Sequence, residues 1–267
     1  GEFVKLRLDE TLAESIIYVP DGIFEFEIPF ADARTLGYAP TAFAGDSHRI
    51  RCEEPDEPEI YGEREISLNS HDKHKIGKYF PHATANFVTR ESPSFFERNA
   101  IDGVINNLGH GRYPYHSWGG GLREDLEMYL YFGTEVMVKD IILYLRADFP
   151  HDTYWKEMDI EFSDKTRKHI TLEGVAADAR YVLGNSDADD LIAILECRLC
   201  DGNDQVTALY CVKLIVNQKR DISGYINIEL VAVMAVRLRK GRPGGCLLNA
   251  VKGTAAVQIA ICQDQWL

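Results

Sequence analysis

The chain has 267 residues, of which 45% are hydrophobic and 10% aromatic, enough apolar material for one large domain or a domain with an appendage. Its formal net charge of -13 excludes sequence-independent nucleic-acid binding, since neutralising phosphates needs a basic footprint, and suits neutral ligands, cations or basic partners. No apolar run reaches the length of a membrane span, no charged-then-apolar signal segment opens the chain, and 6 cysteines are too few for a disulfide scaffold of this size.

In chain order, residues 4–8 and 15–19 read as short strands, and residues 23–28 alternate as I-F-E-F-E-I. Pro20-Asp21-Gly22 is a turn signal, so residues 15–28 are expected to form a hairpin. A further strand is expected over 48–52, and the Pro- and Glu-rich residues 53–58 read as a solvated linker. Residues 1–60 are thus expected to be a β-rich appendage, too small to bury a large core alone. The main module then runs from 61 to 218. Its opening is dense in polar chemistry, with Asn69, His71, Asp72, His74, His82, Asn86 and Arg90.

Three alternating segments follow, over 127–132, 136–146 and 158–162, with β-branched and aromatic residues at period two between Gly133, Pro150 and Ser163-Asp164-Lys165. Residues 107–121 fit no periodic template and form a long loop, the kind of segment that carries function on a β scaffold. Strand character returns at 169–172, 180–183, 191–198 and 206–216. Residues 219–267 are an extension of uncertain structure, with a strand or hairpin in 225–239 and a strand or helix in 254–262. Cys197 and Cys200 form a C-x-x-C without a second pair, so ordinary thiols are expected rather than zinc. The compartment stays open, with this thiol usage favouring a reducing, cytoplasmic interior. Oligomeric state is not legible.

The succession Ala100-Ile101-Asp102-Gly103, Ser117-Trp118, a strand closing on Phe132-Gly133, the strand 138–146, and Ile160-Glu161-Phe162-Ser163-Asp164 resembles the discoidin or coagulation-factor C-type module. The resemblance covers residues 64–214, with a longer Asp-to-Trp loop and with Lys165 where the family has Gly. It implies the galactose-binding-like fold: an all-β, antiparallel jelly-roll β-sandwich, here with the small β-rich N-terminal appendage. It also implies sugar-contacting loops at one end of the sandwich. A structural calcium is implied too, for which Asp102, Asn106 and Asn107 offer hard oxygen ligands; an Asx-type turn cap is the plainer role for Asp102.

A sugar ring presents an apolar C–H face and a rim of hydroxyls, so its site needs an aromatic platform and several polar groups. The loop before Trp118 supplies Asn106, Asn107, His110, Arg112, Tyr113, Tyr115 and His116, and a second cluster follows Arg146. The expected ligand-binding set is Arg112, Tyr115, His116, Arg146, Asp148, His151 and Trp155, with Trp118 plugging the core. The expected function is non-catalytic, lectin-like binding of a saccharide. Two alternatives stand beside it. A glycan hydrolase would pair Asp148 or Asp152 with Glu124 or Asp125; a metalloprotein would gather His71, His82, His116 and His151 with Asp72 or Asp152. No H-E-x-x-H, G-x-S-x-G or P-loop is present, so no enzymatic motif supports catalysis.

Overall fold

The computed structural model describes residues 1–45, 48–106, 111–121, 123, 125–146, 155, 157–171, 180–183, 209–217, 225–233, 246–249 and 256–261; for 139, 140, 145, 146 and those from 180 onward it describes the backbone alone. The strands are β1 (Glu2–Arg7), β2 (Ser15–Val19), β3 (Ile23–Glu27), β4 (Arg51–Glu53), β5 (Glu63–Glu65), β6 (His82–Ala85), β7 (Trp118–Gly119), β8 (Asp125–Val136) and β9 (Val138–Arg146). They continue as β10 (Glu157–Phe162), β11 (Arg167–Thr171), β12 (Arg180–Leu183), β13 (Leu209–Asn217), β14 (Tyr225–Val233), β15 (Cys246–Asn249) and β16 (Ala256–Ile261). The α-helices among the described residues are two short ones, α1 (Ala31–Gly37) and α2 (Glu57–Tyr61).

The main body is the expected all-β, antiparallel jelly-roll sandwich. One sheet has the order β11-β10-β13-β8-β6, the other β12-β9-β14-β5, with β7 beside β14. Period-two alternation places Leu126, Met128, Leu130 and Phe132 of β8 and Met158, Ile160 and Phe162 of β10 in one core with Trp118 and Trp155. Each such fully buried side chain contributes about 1.5–3 kcal/mol. On β9, Ile141 and Leu143 are buried, and so is Ile142 from the opposite face, so this strand is covered on both sides.

The sandwich extends past the expected boundary at 218, because β14 lies between β9 and β5 at the centre of the second sheet. The N-terminal unit likewise is not made of residues 1–60 alone. It consists of the sheets β2-β1-β4 and β15-β16-β3, so the C-terminal residues return to complete it. The expected hairpin over 15–28 is therefore corrected: β2 pairs with β1, and β3 with β16. The physical reason is that Ile17 and Val19 of β2 and Phe24 and Phe26 of β3 bury against each other in one cluster. Strands whose apolar faces meet belong to facing sheets, so Pro20-Asp21-Gly22 carries the chain from one to the other. The expected linker is partly α2, started by a capping box in which Asp56 and Glu59 satisfy each other's backbone N–H groups. The strand expected over 191–198 lies outside the described residues.

The turn after β10 is closed by two hydrogen bonds around a residue in the left-handed region. Lys165 has φ +72, its N–H donates to Phe162 O at 2.9 Å, and Asp164 Oδ1 accepts from Thr166 N at 2.9 Å.

Candidate functional site

Between the N-terminal unit and the sandwich lies a polar seam built around Arg98, in the 3₁₀ turn Glu97–Ala100. Its guanidinium is buried, and its N–H groups are committed within the protein. Nε donates to Asp72 O at 2.8 Å, Nη1 to Asn99 Oδ1 at 3.0 Å and to Gly37 O at 3.5 Å, and Nη2 to Ser70 O at 3.2 Å. Nη2 also lies 3.8 Å from Asp102 Oδ2, and the guanidinium sits 4.6 Å from the centre of the Tyr38 ring. Gly37 and Tyr38 end α1, so this one cation fastens the N-terminal unit to the sandwich. Burial alone would lower its pKa, but the surrounding Tyr38, Asp102, Asp72 and Glu97 raise it.

Two histidines bind the same seam. His71 Nε2 accepts the Leu8 N–H at 3.2 Å, and its Nδ1 contacts Ser70 Oγ at 3.2 Å; the ring meets Phe24 and Phe26 edge-on. An imidazole that accepts a backbone N–H must be neutral, and burial together with the charge of Arg98 lowers its pKa to about 3. His82 Nδ1 donates to Asp72 Oδ1 at 2.7 Å, and Asp72 Oδ2 accepts from Ala83 N at 2.9 Å. Burial opposes the charge on His82 but is outweighed by that hydrogen bond and by the charges of Asp72 and Glu97, so its pKa is raised.

Beside Arg98 the Asp-Gly turn closes a pocket of about 270 Å³. Asp102 Oδ1 accepts the Val104 N–H at 2.9 Å across Gly103, whose φ is +84. Asp102 Oδ2 lies 2.5 Å from His116 Nε2, and the Tyr113 ring stacks on that imidazole at 5.3 Å and 27°. The loop is pinned to α1 by the Tyr113 N–H, which donates to Leu36 O at 2.8 Å. The pocket is lined by Tyr38 and Tyr113, by the polar groups of Arg98, Asp102 and His116, and by residues 11–13. Burial raises the Tyr38 pKa, with Arg98 opposing, so the phenol keeps its proton.

Of the expected ligand-binding set, His116 lines this pocket, although its side chain is fully buried. Arg112 is exposed and Tyr115 half-buried in the turn just before it, where Tyr115 N donates to Arg112 O at 2.9 Å. Arg146 ends β9 opposite Tyr225, whose other neighbour is Gly119, so the end of β9 and the end of the loop lie at the same end of the second sheet. Trp155 is a correction. It is fully buried against Trp118, 5.4 Å between ring centres, because the sandwich core takes both indoles, and it offers no platform to a ligand. Asp148 and His151 lie outside the described residues. The expected set omitted Tyr38, Tyr113 and Arg98; Arg98 stands four residues before Asp102, but nothing local marks Tyr38, which arrives from another part of the chain.

The alternative chemistries fare as follows. His71, His82 and His116 each serve a different partner, and no group of three His, Cys, Asp or Glu among the described residues is placed to hold a metal. The calcium ligands expected at Asp102, Asn106 and Asn107 include one carboxylate already occupied by an N–H and an imidazole, with a guanidinium 3.8 Å away that repels a divalent cation. Asp102 thus does not fit a calcium site; Asn106 is half-buried, and Asn107 lies outside the described residues. Asp125 is bound by Arg123 at 2.7 and 2.5 Å on the surface, while Glu124, Asp148 and Asp152 lie outside the described residues.

No family model and no curated protein matches the chain. Among solved structures it is similar to the lectin domain of lectinolysin complexed with Lewis B antigen, with 12% identity over 62% of this chain and 95% of that one and a TM-score of 0.41. It is also similar to a Streptococcus pneumoniae fucose-binding module, with 14% identity, 62% and 96% coverage and a TM-score of 0.40. A third is the family 32 carbohydrate-binding module of Clostridium perfringens NanJ in complex with galactose, with 13% identity, 56% and 91% coverage and a TM-score of 0.37.

Proposed function

We propose that this chain is a non-catalytic saccharide-binding protein and that the ring is held in the pocket between Tyr38 and Tyr113. The observation that carries the reading is the meeting, in one cavity of about 270 Å³, of two tyrosine rings with the polar groups of Arg98, Asp102 and His116. That volume falls just below the usual range of ligand pockets, roughly 300–1,000 Å³, and suits one ring rather than a run of them. Tyr113 supplies a face for the C–H side of a sugar. The acceptor sites of Asp102 left by the protein take hydroxyls. Arg112 and Tyr115, on the same loop, are the groups a longer glycan meets beyond the first ring. Arg146 belongs to the same end.

Non-catalytic binding is favoured over glycoside hydrolysis because Asp102 is the one carboxylate lining the pocket among the described residues, and hydrolysis takes two. A glycan array probed with the wild type and with Tyr113→Ala tests the reading. Binding by the wild type that weakens in the variant supports it; an array with no bound glycan, or one on which both bind alike, refutes it.

A further inference from the structure

Among the described residues the pocket holds one carboxylate, Asp102, and no arginine fork free to bind a second, and we infer that it takes uncharged or amino sugars and rejects their uronic acids. This rests on the saccharide reading above. A carboxylated sugar is ordinarily read by the fork of an arginine, which gives two parallel N–H donors to the two carboxylate oxygens. Arg98 lines the pocket but has no fork to give: its three nitrogens are spent on Asp72 O, Asn99 Oδ1, Gly37 O and Ser70 O, and on the Asp102 ion pair. Releasing one pair of donors would unfasten α1 or the 70–72 turn from the seam.

The neighbouring hydroxyls point the same way. Thr11 Oγ1 donates to Asp9 Oδ1 at 2.7 Å and Ser70 Oγ donates to Ala13 O at 2.6 Å, so neither has a proton to give a carboxylate; Ser70 Oγ also meets His71 Nδ1 at 3.2 Å and Ser15 Oγ at 3.3 Å and is spent within the protein. A carboxylate has about four lone-pair sites, and Asp102 uses one on Val104 N and one on His116 Nε2, with Arg98 more distant. Beyond the two tyrosine hydroxyls, what Asp102 leaves is acceptor capacity, which hydroxyl and ammonium protons satisfy and a second carboxylate does not. Like charges placed together in such a site disfavour binding, and the net charge of -13 adds a longer-range repulsion.

The test uses the full chain and two stereochemical series: glucosamine, glucose and glucuronate, and galactosamine, galactose and galacturonate. Titrations followed by amide chemical shifts are run in 0.15 M and in 1 M NaCl, since at the higher salt the screening length falls to about 3 Å and only local recognition is left. In the series that binds, the uronate is expected to be more than about tenfold weaker than the neutral sugar at both salts, and the amino sugar no weaker than the neutral one. A uronate that binds as well as the neutral sugar, an amino sugar about tenfold weaker, or discrimination that vanishes at 1 M NaCl overturns the inference while leaving the saccharide reading standing. No binding by any of the six overturns both.

Discussion

His71 makes the fold sensitive to acid in a way that can be worked out from its surroundings. Its Nε2 accepts the Leu8 N–H across the seam, and its ring lies between Phe24 and Phe26, so a proton on Nε2 would set two donors face to face in a buried site. Its pKa falls from an ordinary 6.5 to about 3 in the folded chain, first through burial and then through Arg98. Because the folded value lies below the unfolded one, this contribution is complete above pH 6.5 and is lost as the pH falls toward 3. The slope reaches about 1.4 kcal/mol per pH unit, which integrates to roughly 2 kcal/mol between pH 6 and pH 4. Other groups titrate in the same range, among them His82, whose raised pKa works in the opposite direction. The assay therefore compares urea unfolding of the wild type and of His71→Gln, followed by tryptophan fluorescence; glutamine keeps an acceptor for Leu8 but does not titrate. The difference between the two stabilities should shrink by roughly 2 kcal/mol from pH 6 to pH 4. Parallel losses in the two proteins would refute the reasoning.

Three further outcomes follow from the same geometry. Lys165→Gly should stabilise the chain by about 1 kcal/mol, because a side chain at φ +72 is strained and the Lys165 to Glu161 ion pair it removes is largely exposed; an unchanged or lower melting midpoint would contradict this. Arg98→Met should cost about 3–5 kcal/mol, since it removes the cation beside buried Asp102 and the donors to the carbonyls of Gly37, Ser70 and Asp72, and a loss below 1 kcal/mol in urea unfolding would show that the seam is held otherwise. Asp102→Ala should lower stability by about 1–3 kcal/mol while a calcium chelator leaves the wild-type midpoint unchanged; a drop on chelation would show an ion that the Asp102 geometry argues against.

Strands such as β8 and β3 were legible because each buries one face. Leu126, Met128, Leu130 and Phe132 mark β8 by alternation alone, and Phe24 and Phe26 mark β3. Partner choice was not legible, because alternation says which face is apolar and not which strand will cover it. Hence residues 15–28 read as a hairpin although β2 and β3 face each other from different sheets. The return of the C-terminus to pair with β3 is non-local for the same reason. At the site, Asp102 and His116 could be found from their place around the Asp-Gly turn and the loop that follows. Tyr38 could not, since α1 reaches the pocket through contacts distant in sequence, from Arg98 and from the Tyr113 N–H. Trp155 shows the remaining ambiguity: an indole near a loop serves a core or a platform equally well by composition, and only packing against Trp118 decides.

Mapping a glycan onto the folded chain tests the central claim most directly. A ¹⁵N-labelled sample titrated with the best-bound sugar from the array should show its largest amide shifts at Gly37, Gly103, Val104 and Tyr113, which line the pocket, with a dissociation constant near millimolar. Tyr113→Ala should weaken binding by roughly two- to tenfold, the value of one aromatic contact of about 0.5–1.5 kcal/mol. Shifts confined to other surfaces, with the pocket amides unmoved, would contradict the account.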